Sequence, residues 1–399
     1  MAYPTHCGGL RGVRRSYAIC LGFLWLALLC GAYQTISDET LKNLPQPNGE
    51  FDIHNGALLA PILRPRVPGT PGSTAVLNHF VDFFHTQLPD WKIDFQNSTS
   101  KTPVSGNKDV PFVNLIARRD PPWAAPGDVG RLTLVAHYDS KYEPKGFIGA
   151  TDSAAPCAII MHAMRSIDAA LTKKWSAMDA QGETDTALEE QKGIQVLFLD
   201  GEEAFKSWTA TDSLYGARSL AEQWDFEMNP AMSTFKTPLT SISLFVLLDL
   251  LGAKDPGIRS YFKTTHWAYQ NMASLEKRLR DLKQFKSSSD SGNRWFTDAS
   301  KSENEIMSWS GIQDDHIPFQ ARGVEILHVI DTGHPTGFPS VWHTLDDDGE
   351  HLDIPTVEDW SLLVTAFAAE WMELEGYMGD TPEPVSKNKD SNSKRKTEL

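Results

Sequence analysis

Apolar runs rich in branched residues alternate with segments of helical periodicity along the middle of the chain. Short runs of this kind predict buried strands, and apolar residues at helical spacing predict amphipathic helices. Their alternation predicts an α/β fold with three αβα layers and a mixed, mostly parallel central sheet. The predicted strands cover residues 131–137, 193–199, 242–250 and 324–330. The predicted helices cover residues 74–88 and 356–378, and a third begins after Asp152; the polar segment 172–192 predicts an insertion or a loose helix end.

The two ends of the chain differ from this body. Arginines precede an apolar run over residues 17–33, a pattern typical of a secretory leader. Because the run is short for a bilayer span of about 20 residues, we expect cleavage near Ala32 and no stable membrane association. A retained signal anchor is the alternative. We therefore expect a leader over 1–32, a single domain over 33–379 and a disordered polar tail over 380–399.

A leader predicts the secretory pathway and secretion. Its cleavage would leave Cys157 as the remaining cysteine, so no intrachain disulfide could form. Asn97 begins a glycosylation sequon, which is consistent with that route. The last four residues, KTEL, resemble the KDEL retention signal but carry Thr397 in place of the acid. Residence in the lumen of the ER or Golgi is therefore the alternative location.

The charge of the chain excludes one class of partner. Its formal net charge is -15, from 37 basic and 52 acidic side chains. Nucleic-acid binding requires a basic surface, so we expect no nucleic-acid partner. Hydrophobic residues make up 41% of the chain, which is typical of a globular protein.

Acidic residues cluster where the predicted strands end. Glu202 and Glu203 follow the second strand, and Asp249 ends the third. In open α/β sheets, functional sites lie outside the carboxyl ends of the strands, so these side chains should meet at one edge. A pair of glutamates alone is also common in solvated turns. Together with Asp152 and with His343 beyond the last strand, however, two carboxylates and one imidazole favour a zinc site.

Several longer motifs carry a resemblance to one known family. They occur in the order GATDSAAPC, FLDGEEAF, DSLYG, LLDLLGA, QDDHIPF and VWHTLDD. From about residue 74 to residue 375, the chain resembles the glutaminyl-peptide cyclotransferases, the animal-type zinc glutaminyl cyclases. The resemblance implies a fold like that of the single-domain zinc aminopeptidases. It also implies an enzyme that converts N-terminal glutamine of peptides or proteins to pyroglutamate with release of ammonia, with N-terminal glutamate as a further substrate.

The resemblance also implies the roles of individual residues. It implies one zinc ion per chain, with Asp152, Glu203 and His343 as ligands. It makes Glu202 the general acid/base, with Asp249 and Asp314 as supporting acids. It places four side chains around the substrate, namely Trp208, Gln313, Phe338 and Trp342. Core packing is the alternative for the aromatic residues, and we expect a monomer.

Two features depart from the family pattern. Ala136 stands where secreted animal members carry a cysteine that is bridged to the position of Cys157. The loop before Phe338 is also longer than in the family, which affects the shape of the pocket wall.

Two other functions remain open at this point. A zinc aminopeptidase on the same scaffold would use His137 and Asp249 for a second metal ion, so the ligand types do not exclude it. The QDDHIPF segment and the tryptophans favour the cyclase. The second alternative is a catalytically silent binding protein on this scaffold, but such a protein has no chemical need for Asp152, Glu202, Glu203 and His343 together.

Overall fold

The computed structural model describes residues 35–184, 191–287, 294–306, 311–334 and 337–379. The predicted leader over 1–32 and the predicted tail over 380–399, with its KTEL sequence, lie outside these residues. Among the described residues, no helix combines the length and the apolar character that a membrane crossing requires.

A central sheet of six strands occupies the described part of the chain. The strands are β1 (Lys92–Ser100), β2 (Val110–Arg119), β3 (Val129–His137), β4 (Gln191–Leu199), β5 (Ile242–Asp249) and β6 (Ile326–Ile330). Their order across the sheet is β1-β2-β4-β3-β5-β6. The four strands from β4 to β6 are parallel, whereas β2 is antiparallel to both β1 and β4. The predicted mixed, mostly parallel sheet is confirmed.

Helices cover both faces of this sheet. The helices of the described residues are α1 (Asp38–Lys42), α2 (Pro71–Gln87), α3 (Ala155–Gln181), α4 (Tyr215–Phe226), α5 (His266–Asp281), α6 (Ile317–Gln320) and α7 (Ile354–Trp371). Because side chains alternate along a strand, Leu134 of β3 joins the core formed with α2, α3, α5 and α7. Val135 joins the second core, formed with α4 and α6. Two cores on opposite faces make the three predicted layers.

The third predicted helix begins as expected but runs further into segment 172–192. Pro156 lies in the first turn of α3, where a missing N–H costs little, and Gly182 ends the helix in the left-handed conformation. Up to Gln181 the segment is the regular end of α3 and not an insertion, and its last two residues, Gln191 and Lys192, begin β4. Leu171 and Trp175 are buried, and their packing keeps this polar stretch helical. Residues 185–190 lie outside the described residues.

The topology brings the polar ends of three strands to one edge of the sheet. β3, β4 and β5 run in the same direction, so their carboxyl ends meet there. His137 is the last residue of β3, Asp249 is the last residue of β5, and Glu202 follows β4 by three residues. The ligand candidate Asp152 reaches the same edge from the turn that precedes α3.

Candidate active site

Asp152, Glu203 and His343 meet at one point although they are far apart in the chain. One ligand atom of each lies within 4.8 Å of the others. The Nε2 atom of His343 is 3.4 Å from Oδ2 of Asp152 and 3.6 Å from Oε1 of Glu203. That Oε1 atom is buried without a hydrogen-bond partner, which is costly unless a cation satisfies it. Two carboxylate oxygens and one imidazole nitrogen are a donor set that fits zinc.

A buried arginine and a glycine hold the turn that carries Asp152. The guanidinium of Arg66 is fully buried and donates to the carbonyl oxygens of Gly149, at 2.9 Å, and of Asp152, at 3.3 Å. Gly149 has a φ of 63°, and a Cβ there would clash with the Asp152 carbonyl oxygen. These contacts fix the backbone of the turn, so the Asp152 side chain is presented from a rigid support.

One buried carboxylate fixes both glutamates of the pair. Asp139 accepts the backbone N–H of Glu202 at 3.0 Å with Oδ1 and that of Glu203 at 3.1 Å with Oδ2. Asp139 is fully buried, so these charge-assisted hydrogen bonds form in a medium of low polarity. These two hydrogen bonds fix the backbone after β4. The side chains of Glu202 and Glu203 are therefore held in separate positions at the site.

The side chain of Glu203 is held from two sides. Its Oε2 atom lies 3.0 Å from the Nζ atom of Lys141, whereas Oε1 is the atom near His343. Burial raises the pKa of Glu203 to about 7, and the nearby Asp152 carboxylate adds to this rise. The Lys141 ammonium acts in the opposite direction and lowers the pKa of Glu203.

Glu202 lies beside this point and is also buried. Burial raises its pKa well above the usual value, and the carboxylates of Glu203 and Asp314 contribute in the same direction. A carboxyl group with a raised pKa can both accept and donate a proton near neutral pH. Glu202 therefore has the environment of a general acid/base.

Asp249 and Asp314 belong to a network of buried polar groups. Ser153 donates its hydroxyl to Oδ1 of Asp249, and Asp314 contacts Nε2 of His328 at 2.7 Å. Burial raises the pKa of Asp314 well above its usual value, with a further contribution from Asp249. Burial lowers the pKa of His328 to about 4, so this imidazole is neutral at physiological pH.

A cleft of about 590 Å³ opens above these acids. The four predicted substrate residues Trp208, Gln313, Phe338 and Trp342 all line it. Trp342 stacks on His343 with ring centroids 3.8 Å apart, and Trp208 donates its indole N–H to the Gln313 side chain at 2.7 Å. Phe338 and Trp342 also pack on the second core.

Some of the other predicted site residues line the cleft, and the rest are buried beneath its surface. Asp152, Glu202, Asp249 and His343 line the cleft. Glu203 contacts His343 from behind this surface, and Asp314 is buried in the polar network. In the loop before Phe338, residues 335 and 336 lie outside the described residues, and Nε2 of His334 is 2.8 Å from Oδ2 of Asp331.

The geometry also brings together the residues that a second metal ion would need. The Nε2 atom of His137 is 2.9 Å from Oδ1 of Asp152 and 3.5 Å from Oδ1 of Asp249. This group shares Asp152 with the first one. The distances alone therefore do not separate a one-metal site from a two-metal site.

Sequence reasoning gave no role to three residues that shape the site. Arg66, Asp139 and Lys141 act on it through contacts to the backbone or to a ligand. Asp139 follows a predicted strand as the glutamates do, which predicts its position at this edge of the sheet but not its hydrogen bonds to their backbone. No pattern around Arg66 pointed to this site.

Comparisons with known proteins agree with the fold and with the family resemblance of the sequence. Residues 114–368 match peptidase family M28. The chain is 36% identical to a glutaminyl-peptide cyclotransferase-like protein of Bos taurus, over 82% of this chain and 78% of that protein. It is 36% identical to a glutaminyl-peptide cyclotransferase of Bothrops jararaca, over 79% and 80%. The crystal structure of Macrostomum lignano glutaminyl cyclase superposes with a TM-score of 0.69 at 28% identity, covering 86% of this chain and 96% of that one.

Proposed function

The chain belongs to the glutaminyl-peptide cyclotransferases of peptidase family M28, and we propose that it closes the N-terminal glutamine of peptides to pyroglutamate with one bound zinc ion. The observation that carries this proposal is the orphaned Oε1 atom of Glu203, which faces Asp152 and His343 next to the buried acid Glu202. A single ion held there would satisfy the orphaned oxygen and leave Glu202 free for proton transfer.

The reaction makes three demands on the site. The α-amine of glutamine attacks the carbonyl carbon of its own side-chain amide, and ammonia leaves as the five-membered lactam forms. The carbonyl must be polarised, the amine must lose a proton and the leaving nitrogen must gain one. Asp152, Glu203 and His343 would hold the zinc ion, which would supply Lewis-acid polarisation of the amide carbonyl.

Glu202 meets the two demands that concern protons. Its carboxylate accepts the proton of the attacking amine and returns it to the nitrogen of the leaving amide. Burial raises its pKa, which brings its basicity closer to that of the groups it serves. Asp249 and Asp314 support it by accepting and donating hydrogen bonds that orient the reacting nitrogen.

The aromatic wall orients the substrate and limits water. Trp208, Phe338 and Trp342 give the cleft an apolar surface against which the glutamine side chain packs. Gln313, fixed by the indole of Trp208, offers a polar group at the same wall. Holding amine and amide together in this enclosure favours ring closure over hydrolysis.

A zinc aminopeptidase is the second candidate, and one observation favours it. His137 and Asp249 lie close enough to Asp152 to hold a second metal ion. In the cyclase, Asp249 instead accepts the hydroxyl of Ser153 and serves the proton network. The two roles exclude each other, so the number of tightly bound zinc ions distinguishes them.

Incubation of the purified protein with a peptide that begins with glutamine tests the function directly. The cyclase releases ammonia, and the peptide mass falls by that amount. Free glutamine with a shortened peptide would instead identify an aminopeptidase. If neither product forms in the presence of zinc, the protein is a silent binding protein and the proposal is wrong.

We further propose that the protein is a secreted monomer of the secretory pathway that acts on N-terminal glutamine or glutamate. The leader and the sequon support this location, and Asn97 is exposed on β1, where a glycan can be accommodated. Retention through KTEL or an uncleaved anchor remains the alternative. Mass spectrometry of the mature protein tests it through the N-terminus near Tyr33 and the glycan on Asn97.

A further inference from the structure

The cleft is larger than the glutamine that it must hold. Its volume of about 590 Å³ is within the range that encloses a drug-sized ligand. If the glutamine binds beside Glu202, as the proposed function requires, the residues that follow it must run along the outer part of the cleft. The side chains that line this outer part can therefore select among peptides.

One turn carries Lys206 and Trp208 into this part of the cleft, and Asp212 makes it rigid. The Oδ1 atom of Asp212 accepts the N–H of Phe205 at 3.0 Å, and Oδ2 accepts those of Lys206 at 3.0 Å and Ser207 at 2.9 Å. Asp212 is buried, and its carboxylate also accepts the hydroxyl of Tyr215. The carboxylate oxygens of Asp212 are thus used to fix the backbone of the turn. The Cα atom of Lys206 is therefore held in a defined position at the cleft.

Lys206 differs from the other charged residues of the cleft. Asp152, Glu202 and Asp249 are buried at its base, and the ammonium of Lys141 is paired with Glu203. Lys206 is exposed on the cleft wall, and no carboxylate of the described residues lies within ion-pair distance of its ammonium. An unpaired cation here attracts a carboxylate, although the net charge of the whole chain is -15.

We propose that Lys206 forms a subsite for an acidic side chain at the second or third position of the substrate peptide. The inference rests on the proposed function, since it needs the glutamine to occupy the base of the cleft. The pair is exposed to solvent, so we expect a preference of about two- to fivefold, which salt reduces.

A panel of C-terminally amidated peptides tests the subsite. The peptides differ only in carrying glutamate, glutamine or lysine at position two or three, and the amide removes the terminal carboxylate as a second anion. At low salt, kcat/KM should be about two- to fivefold higher with glutamate than with glutamine at one of these positions. In 0.5 M salt the Debye length is roughly 4 to 5 Å. The difference in kcat/KM between the glutamate and glutamine peptides should then largely disappear.

Two variants of Lys206 and one control make the test specific. Lys206→Met should remove the preference for glutamate, and Lys206→Glu should reverse it in favour of lysine. Lys108→Met, on the exposed loop between β1 and β2, should keep the preference of the parent protein. Equal kcat/KM for glutamate and glutamine at both positions, or an unchanged preference in Lys206→Met, would overturn the inference. Absence of ammonia release from every peptide would instead overturn the proposed function.

Discussion

The Nζ atom of Lys141 lies 3.0 Å from Oε2 of Glu203, while Oε1 of the same carboxylate faces His343 at 3.6 Å. The two oxygens of Glu203 therefore have different partners. One is held in an ion pair that is largely shielded from water, and the other is left as a single donor directed at Asp152 and His343. The Lys141 ammonium on Oε2 thus orients the oxygen Oε1, which is the candidate zinc donor of Glu203.

Lys141→Met should weaken zinc binding because Oε2 of Glu203 would lose its partner and the carboxylate could rotate. Changes of this kind next to a ligand lower metal affinity by about 10- to 100-fold. Competition with a chelator of known affinity measures the effect without using activity. Lys141→Arg keeps the positive charge and should retain most of the affinity. If Lys141→Met binds zinc as tightly as the parent protein, Lys141 does not position the ligand.

Glu203→Gln should lose zinc and activity together. The substitution replaces an anionic donor by a neutral amide at a buried point, so metal affinity falls. Because the other two ligands remain, excess zinc should restore part of the turnover. Metal analysis after dialysis, followed by assays at increasing zinc concentration, measures both effects. Full zinc content in the dialysed variant would remove Glu203 from the ligand set.

Glu202→Gln should keep zinc and lose turnover. The amide has nearly the same size but cannot accept the proton of the attacking amine, so kcat should fall by about 10² to 10⁴. Added zinc should not restore it, and a glutamine peptide should still bind. Glu203→Gln is the matched comparison on the neighbouring residue. The assignment is reversed if Glu202→Gln strips the metal while Glu203→Gln does not.

Asp139→Asn should destabilise the fold as well as the site. Both oxygens of Asp139 accept backbone N–H groups, and an asparagine offers a single oxygen, so one buried donor would lose its partner. The free energy of unfolding should fall by about 1 to 3 kcal/mol. Urea denaturation measures this change. Asp109→Asn, on an exposed loop, is the control and should leave the unfolding midpoint unchanged.

The thiol of Cys157 should be unreactive in the folded protein. It is buried and donates to the carbonyl oxygen of His137, and burial raises its pKa to about 12. At pH 8 the thiolate fraction is then roughly 10⁻⁴, since the fraction falls tenfold for each unit between the pH and the pKa. A thiol-specific chromogenic reagent should react slowly with native protein and rapidly after unfolding. Rapid reaction of the native protein would contradict this.

Apolar runs located the parallel strands β3 to β6 because these strands are buried on both faces. Such strands appear in the sequence as continuous runs of branched apolar residues. The same reasoning missed β1, whose sequence KIDFQNSTS has one buried residue, Gln96. β1 lies at the edge of the sheet, where an exposed strand carries no continuous apolar run. It also missed β2, which lies next to β1 and pairs with β4.

The sequence predicted which acids meet at the candidate site, but it did not predict the contacts that hold them. Side chains at the ends of parallel strands must meet, so the cluster around Glu202 and Asp249 followed from topology. The contacts of Asp139 and Lys141 with the glutamate pair span more than 60 positions of the chain. Partners at such separation depend on the exact placement of a turn and of a long side chain, which no local pattern encodes.

The buried guanidinium of Arg66 has a consequence for the boundaries of the working unit. It supports the turn of Asp152 from a segment that precedes the part matched by family M28, which begins at residue 114. A fragment cut at that family boundary would keep every candidate zinc ligand and lose the support of one of them. Any truncated form of this enzyme, whether for surface display, fusion or crystallisation, therefore has to begin before Arg66.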